Sequence, residues 1–162
     1  MEVKVFKKLS EEAKIIRTKV FMEEQGFENE FDEKDNCSIH IVLFDSSNPA
    51  ATCRIYYSEE RQCYVIGRLA VLKDYCGLIV GSKLLNVAEK EIRNRNGNIA
   101  ELSAQLRVIE FYKKNGFEER LCEWDGPGMF KMIKNTFEKT PDFVLSAYKD
   151  NAAVMEGSKV GR

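Results

Sequence analysis

The chain has 162 residues, enough for one domain with its own core, and its 44% hydrophobic and 31% charged content is that of an ordinary globular protein. A net charge of -1 makes no electrostatic case for nucleic acid or a membrane surface as partner. No apolar run approaches the ~20 residues of a membrane span, and Met1–Glu12 lacks the basic-then-apolar layout of an export signal.

In chain order, Val3 to Phe6 reads as a first strand. Ser10 is placed to cap a helix running to about Gln25, with Ala13, Ile16 and Val20 on one face, and Gly26 ends it. The next stretch, GFENEFDEKDNCS, is acidic and turn-rich; it predicts a surface loop with the run Glu28–Asp35 solvated. Ile39 to Phe44 and Ala51 to Tyr57 form an antiparallel hairpin around DSSNPA, and a turn at Ser58–Gln62 leads into a strand from Cys63 to Leu72.

After a turn at Lys73–Gly77, Gly81, Leu84, Leu85, Ala88 and Ile92 recur at the spacing of a buried helix face. Lys83, Asn86, Glu89, Lys90 and Arg93 lie opposite, with Glu89/Arg93 and Glu91/Arg95 as i,i+4 pairs. Gly97 stands where a left-handed cap is expected. Ile99 to Ala104 is a fifth strand, parallel to the fourth because a helix joins them. Leu106 to Asn115 is a helix stopped by Gly116, and Phe117–Cys122 and Met129–Ile133 close the sheet around a turn at Asp125–Gly128. Residues 1–134 then make one domain, and Asn135 to Arg162 reads as a poorly packed tail or docking arm.

This order describes an α+β layer: a mixed, mostly antiparallel sheet flanked by helices, with one parallel strand pair. The cysteines, Cys37, Cys53, Cys63, Cys76 and Cys122, show no CxxC spacing, and there is a single histidine. A zinc site is therefore not expected, and reduced thiols in a cytoplasm are. A strand feeding a glycine turn into a helix N-terminus can cradle phosphate, because the first N–H groups of the helix lack partners and Gly77, Gly81 and Ser82 are small. The alternative is an ordinary strand–turn–helix unit whose glycines ease packing.

The segment IGRLAVLKDYCGLIVGSKLL resembles the acetyl-CoA pyrophosphate motif of the GNAT superfamily of N-acetyltransferases, and LRVIEFYKKNGF resembles its second motif. RTKVFMEEQGFENEFDEKDNCSIHIV and ATCRIYY resemble the ElaA-like branch, so the likeness covers residues 3–134. It implies a parallel strand pair that splays apart. It also implies acetyl-CoA as co-substrate, no metal, and direct attack on the thioester by a primary amine of a small molecule or protein. Leu69, Ala70 and Val71 would offer backbone groups to the pantetheine arm, with the Val71 N–H as oxyanion donor. Cys76, Gly77, Leu78, Ile79, Val80, Gly81 and Ser82 would wrap the pyrophosphate. Tyr112 would stand near the thioester sulfur as general acid, and Asn115 would contact the cofactor. The other reading of Tyr112 is an aromatic packed beside Phe111.

Departures from the family pattern bear on affinity. Cys76 stands where the family has Arg or Gln, which removes a phosphate hydrogen bond of roughly 1.5–3 kcal/mol if charged. Ile79 stands at a glycine position, costing on the order of 1–2 kcal/mol if φ is positive there. Gln105 and Val108 replace the usual Asn and Ala, and Gly128 takes the place of a histidine. Glu24, Glu30, Asp32 and His40 lie in segments the fold would bring near the substrate cleft and are the candidate bases; His40 also reads simply as a hydrogen-bonded histidine. Arg54 and Arg68 are expected to pair with Asp32 or Asp35. A non-catalytic acyl-CoA-binding or interaction protein of the same fold is the alternative from another class. An acyl-homoserine-lactone synthase, which shares the VF…E…D…D layout, is a third. The sequence is silent on oligomeric state, and a homodimer stays open because dimers are the commonest assemblies.

Overall fold

The computed structural model describes residues 1–120 and 128–133. The expected turn at Asp125–Pro127, Cys122 and the 135–162 tail lie outside them. The elements are β1 (Glu2–Phe6), α1 (Glu11–Arg17), β2 (Ile39–Asp45), β3 (Asn48–Ser58), β4 (Cys63–Val71), α2 (Leu78–Asn94), β5 (Ile99–Ser103), α3 (Ile109–Lys114), β6 (Glu118–Arg120) and β7 (Gly128–Met132). They build a seven-stranded sheet in the order β1-β2-β3-β4-β5-β7-β6. Every pairing is antiparallel except β4 with β5, the pair joined through α2.

Strand alternation divides the core between the two faces of the sheet. Ile41, Leu43, Leu69 and Val71 point to one face and pack with Leu84, Leu85, Ala88 and Ile92 of α2 and Tyr112 of α3. Val42, Phe44 and Ala70 point to the other and pack with Ala13, Ile16, Val20 and Phe21. The buried stripe predicted for α2 is thus the stripe observed.

Several local expectations are corrected. Ser10 does cap α1, its Oγ accepting from the Ala13 N–H, but the helix does not stay α to Gln25. It widens into a π-helix over Thr18–Glu24 and stops at Gly26, whose φ is 77°. The hairpin turn is only Ser46-Ser47, because β3 already begins at Asn48. A bulge opposite Leu43/Phe44 accommodates Pro49, which has no N–H to give a ladder. Leu106–Val108 is a 3₁₀ turn that precedes α3.

At the end of α2 the left-handed residue is Asn96 (φ 61°), not Gly97. The Gly97 N–H reaches the Ile92 carbonyl and the Asn96 N–H the Arg93 carbonyl, both at 2.9 Å, which is a Schellman cap. Gly97 is small for another reason: a Cβ there would overlap Ile92 and the Tyr64 ring. Gly116 (φ 88°) ends α3 by the same device, as the sequence predicted. Glu89 is buried rather than solvated and pairs with Lys131 Nζ of β7 at 2.8 Å instead of with Arg93. The Glu91/Arg95 pair forms as expected.

Candidate functional site

The ladder between β4 and β5 consists of Tyr64↔Ala100 and Val65↔Glu101. Beyond Val65 the ladder ends, which among the described residues leaves a gap in the pairing along that edge of β4 from Ile66 to Val71. The Leu72 N–H donates to the Ala50 carbonyl at 2.9 Å, on the β3 side. Alternation along an extended strand therefore turns the Val71 N–H toward the gap. The Val71 carbonyl accepts from the Cys76 thiol at 3.7 Å, which gives Cys76 a place at the strand's exit.

Where β4 begins to splay it is also kinked. Arg54 pairs with Gly67 and Thr52 with Ala70, so Arg68 and Leu69 oppose a single residue, Cys53. Arg68 takes the left-handed conformation (φ 52°) at this bulge.

The turn after β4 leads to Gly77 at the N-terminus of α2, with φ 156° and ψ 165°, a region open essentially to glycine alone. A side chain there would meet open space, so the requirement is one of backbone shape. Ile79 lies within α2 in ordinary helical conformation, and its side chain is 84% exposed; the strain that a positive φ would bring is absent. Gly81 has a packing reason to be small, since a Cβ there would come 2.8 Å from Phe111 Cζ. The alternative reading of that glycine as a packing residue therefore holds in the structure, whatever else the turn binds.

Tyr112 is fully buried, between Phe111 at 5.1 Å and Phe117 at 5.8 Å in edge-on contacts. Its hydroxyl meets no hydrogen-bond partner among the described residues. Burial, with the neighbouring Cys53 thiol, pushes its pKa well above that of an ordinary tyrosine. Asn115 spends its side-chain amide on the Phe111 carbonyl at 2.8 Å, and its own carbonyl accepts from Lys131 at 2.7 Å.

The acidic stretch is not a solvated loop. Glu30 and Asp35 are buried, and an Asp32-capped 3₁₀ turn spans Glu33–Asn36. Arg17 bonds Asp35 at 2.7 Å and Glu30 at 3.1 Å; Arg54 bonds Asp32 at 2.6 Å and Asp35 at 2.9 Å; Arg68 bonds Glu30 at 2.9 Å and Asp32 at 3.1 Å. The expected Arg54 and Arg68 pairs are present. Arg17, which sequence reading did not single out, completes the network, and Glu30, read there as a candidate base, is an ion-pair partner within it. Burial would raise the Asp35 pKa, but hydrogen bonds and charge from Arg17 and Arg54 outweigh it and hold it at about 2. Asp32 is lowered for the same reason, with Arg54 and Arg68 as the cations. His40 is buried against the Asp35 carbonyl at 2.9 Å, and desolvation lowers its pKa.

Of the candidate bases, Glu30, Asp32 and His40 are thus committed to this network. Glu24 stands elsewhere. It lines a cavity of about 640 Å³ with Gln25, Phe27, Lys73, Gln105 and Arg107, at the ends of the π-helix, β4 and β5. Among the described residues no helix is long and apolar enough to cross a membrane, and no cluster of His, Cys, Asp or Glu is arranged to hold a metal.

Comparison with known proteins agrees with this geometry. The sequence profile described as the acetyltransferase (GNAT) family matches residues 5–117. A Lactobacillus plantarum protein crystallised as a candidate N-acetyltransferase is 26% identical, with a TM-score of 0.72 over 83% of this chain and 100% of that one. Escherichia coli ElaA is also 26% identical, with a TM-score of 0.68 over 81% and 99% of the two chains. An acyl-CoA N-acyltransferase from Pseudomonas aeruginosa, 21% identical with a TM-score of 0.69 over 80% and 98%, shares the fold. The open β4 edge and the glycine-capped helix beside it are therefore features of a protein that belongs to the GNAT acetyltransferase family, whose members are acyl-CoA-dependent transferases.

Proposed function

We propose that this chain transfers an acetyl group from acetyl-CoA to a primary amine of a small molecule or protein. The observation that carries the reading is the β4 edge from Ile66 to Val71, which lacks a β5 partner and leads, past the short turn at Lys73–Tyr75, to the Gly77-capped start of α2. An extended pantetheine arm has amides to offer such an edge, and the pyrophosphate suits the unpartnered N–H groups at the start of α2. Leu69, Ala70 and Val71 would take the arm, and the segment Cys76–Ser82 the phosphates. The orphaned Tyr112 hydroxyl fits the same assignment, since a buried donor without an acceptor is costly unless a bound group supplies one.

Acetyl-CoA supplies the activated acyl group and the thiolate leaving group; the rest falls to side chains of this chain. With its pKa well above 10, Tyr112 stays protonated at neutral pH. A thiol of pKa ~8.5 is too weak a base to take that proton fully, so Tyr112 acts by hydrogen bonding to the departing sulfur. The Val71 N–H, aimed into the gap, supports negative charge on the carbonyl oxygen. An amine of pKa ~10.4 costs roughly 4–5 kcal/mol to deprotonate at pH 7, so a base or a water path to one is needed, and Glu24 lines the cavity at the open end of the splay.

The test is a thermal shift of the full chain with acetyl-CoA, using CoA and AMP as controls. Ligand at 100-fold its dissociation constant adds ~2.7 kcal/mol, several degrees for a domain of this size. Ile79→Glu, a substitution at an exposed position beside the expected phosphates, should weaken the shift without altering the fold. No saturable shift at millimolar acetyl-CoA would overturn the proposal in favour of a non-catalytic relative of the same fold.

A further inference from the structure

One edge of the sheet is open: β1 is the first strand in the order, and nothing among the described residues pairs with its outer side. The groups it shows there follow from the ladder. The Thr52 hydroxyl donates to the Ile41 carbonyl at 2.7 Å, so the backbone groups of Ile41 face β3. Alternation then turns the backbone groups of Ile41 and Leu43 away from β1, and those of their partners Val5 and Val3 away from β2. Val3 and Val5 thus offer their N–H and C=O groups to solvent. The β1–β2 register runs without a shift and β1 holds no proline, so two common ways of blunting an edge are not used.

The side chains of β1 sort by face. Val3 and Val5 lie on the α2 side, as do their partners Leu43 and Ile41, and both are exposed. Glu2 and Lys4 lie on the other side, also exposed, with Lys4 Nζ over the Phe44 ring at 4.8 Å. Read against a reversed copy, Glu2-Val3-Lys4 is self-complementary. Antiparallel pairing centred on Val3 sets each Glu2 opposite the other copy's Lys4 and puts the valines of both copies on one side. Centring on Lys4 sets lysine against lysine, and centring on Val5 sets Lys4 opposite Phe6. The charges therefore select one register from those that backbone alternation allows. A lysine on an edge strand ordinarily resists pairing; opposite Glu2 it directs it.

We infer that two copies of this chain pair edge to edge through β1, antiparallel about a two-fold axis at Val3, so that their sheets become one. Such an interface is isologous and closes with two chains. β1 stands three strands from β4, about 14 Å at the usual strand spacing, so the β4 edge of each copy stays open. The pairing is independent of the transferase reading.

The experiment is sedimentation equilibrium on the full chain and on two charge variants, Lys4→Glu and Glu2→Lys, both at exposed positions. The unaltered protein should sediment at twice the chain mass. In either variant alone both cross-strand pairs turn from attraction to repulsion, and dimerisation should weaken about tenfold or more. Mixed in equal amounts, the two variants should recover the dimer, because every carboxylate of one then faces an ammonium of the other. A misfolded variant could not show that recovery. A single-chain mass for the unaltered protein at millimolar concentration would overturn the inference. So would variants that each dimerise as well as the unaltered protein, because another surface would then hold the copies. Variants that dissociate alone and fail to recombine when mixed would overturn it too, because the charges would not be opposite one another.

Discussion

Arg68 Nε stands 2.9 Å from Glu30 Oε1, joining the bulge of β4 to the acidic loop. The arginine at that bulge is left-handed, a conformation costing a non-glycine residue roughly 1–2 kcal/mol. Its contacts with Glu30 and Asp32 offset that strain. Arg68→Ala should destabilise the protein by about 3 kcal/mol, since it leaves buried carboxylate charge short of a partner and keeps the strain. Arg68→Gly loses the same ion pairs but relaxes the backbone, so it should be the more stable of the two by about 1 kcal/mol. Urea denaturation of both variants decides it; equal stabilities would mean the bulge is held without Arg68.

Acid should unfold the protein in two stages. The native pKa of His40 is depressed, so its contribution is present above the unfolded value of about 6.5 and declines as the pH drops below it, when only the unfolded chain takes up the proton. Asp35 is also depressed, from 3.8 to about 2; its contribution is present above 3.8 and is lost as the pH falls from there toward 2. That second stage amounts to roughly 2 kcal/mol. Stability measured across pH 7 to 2 should show both declines, and His40→Gln should remove the first and keep the second.

Gly81 and Phe111 make a sign test. Gly81→Ala gains up to about 1 kcal/mol of helix propensity, but its Cβ would drive into the Phe111 ring, at a cost of about 1–3 kcal/mol. The single variant should be destabilised. In a Phe111→Leu background the same substitution should become neutral or stabilising, which a thermal melt of the double-mutant cycle would read directly.

Tyr112→Phe should move stability and activity in opposite directions. Removing a buried hydroxyl that has no partner among the described residues should stabilise the free protein by about 1 kcal/mol. If that hydroxyl serves the departing sulfur, kcat should fall by at least tenfold with little change in KM. A variant that is less stable and equally active would return Tyr112 to a purely packing role.

Much of this was legible in the chain, for reasons that differ by element. The α2 stripe, the Ser10 cap and the Gly116 stop are local, so spacing alone finds them. The β4–β5 parallel pair follows from the helix that joins them. What escaped was set by contacts distant in sequence. Nothing in GFENEFDEKDNCS says that Glu30 and Asp35 are buried, because the arginines that neutralise them come from α1, β3 and β4. Glu89 looked solvated for the same reason, its lysine standing on β7. In the candidate site, the glycine turn and Tyr112 stood out as motif positions, while the hydrogen bond from Gln105 to Gln25, between residues 80 positions apart, leaves no local trace.

The π-helical stretch Thr18–Glu24 has a consequence for how this protein can change. Closing on i+5 instead of i+4, it holds surplus residue in a helix that would otherwise run regularly from α1. Excising one residue from that stretch would let it anneal into a straight α-helix with its upstream packing intact, and would swing Glu24 and Gln25 by about 100° about the axis. One deletion could thus retire the cavity while sparing the scaffold, and one insertion of the same kind is a simple route by which an ordinary helix could have acquired it.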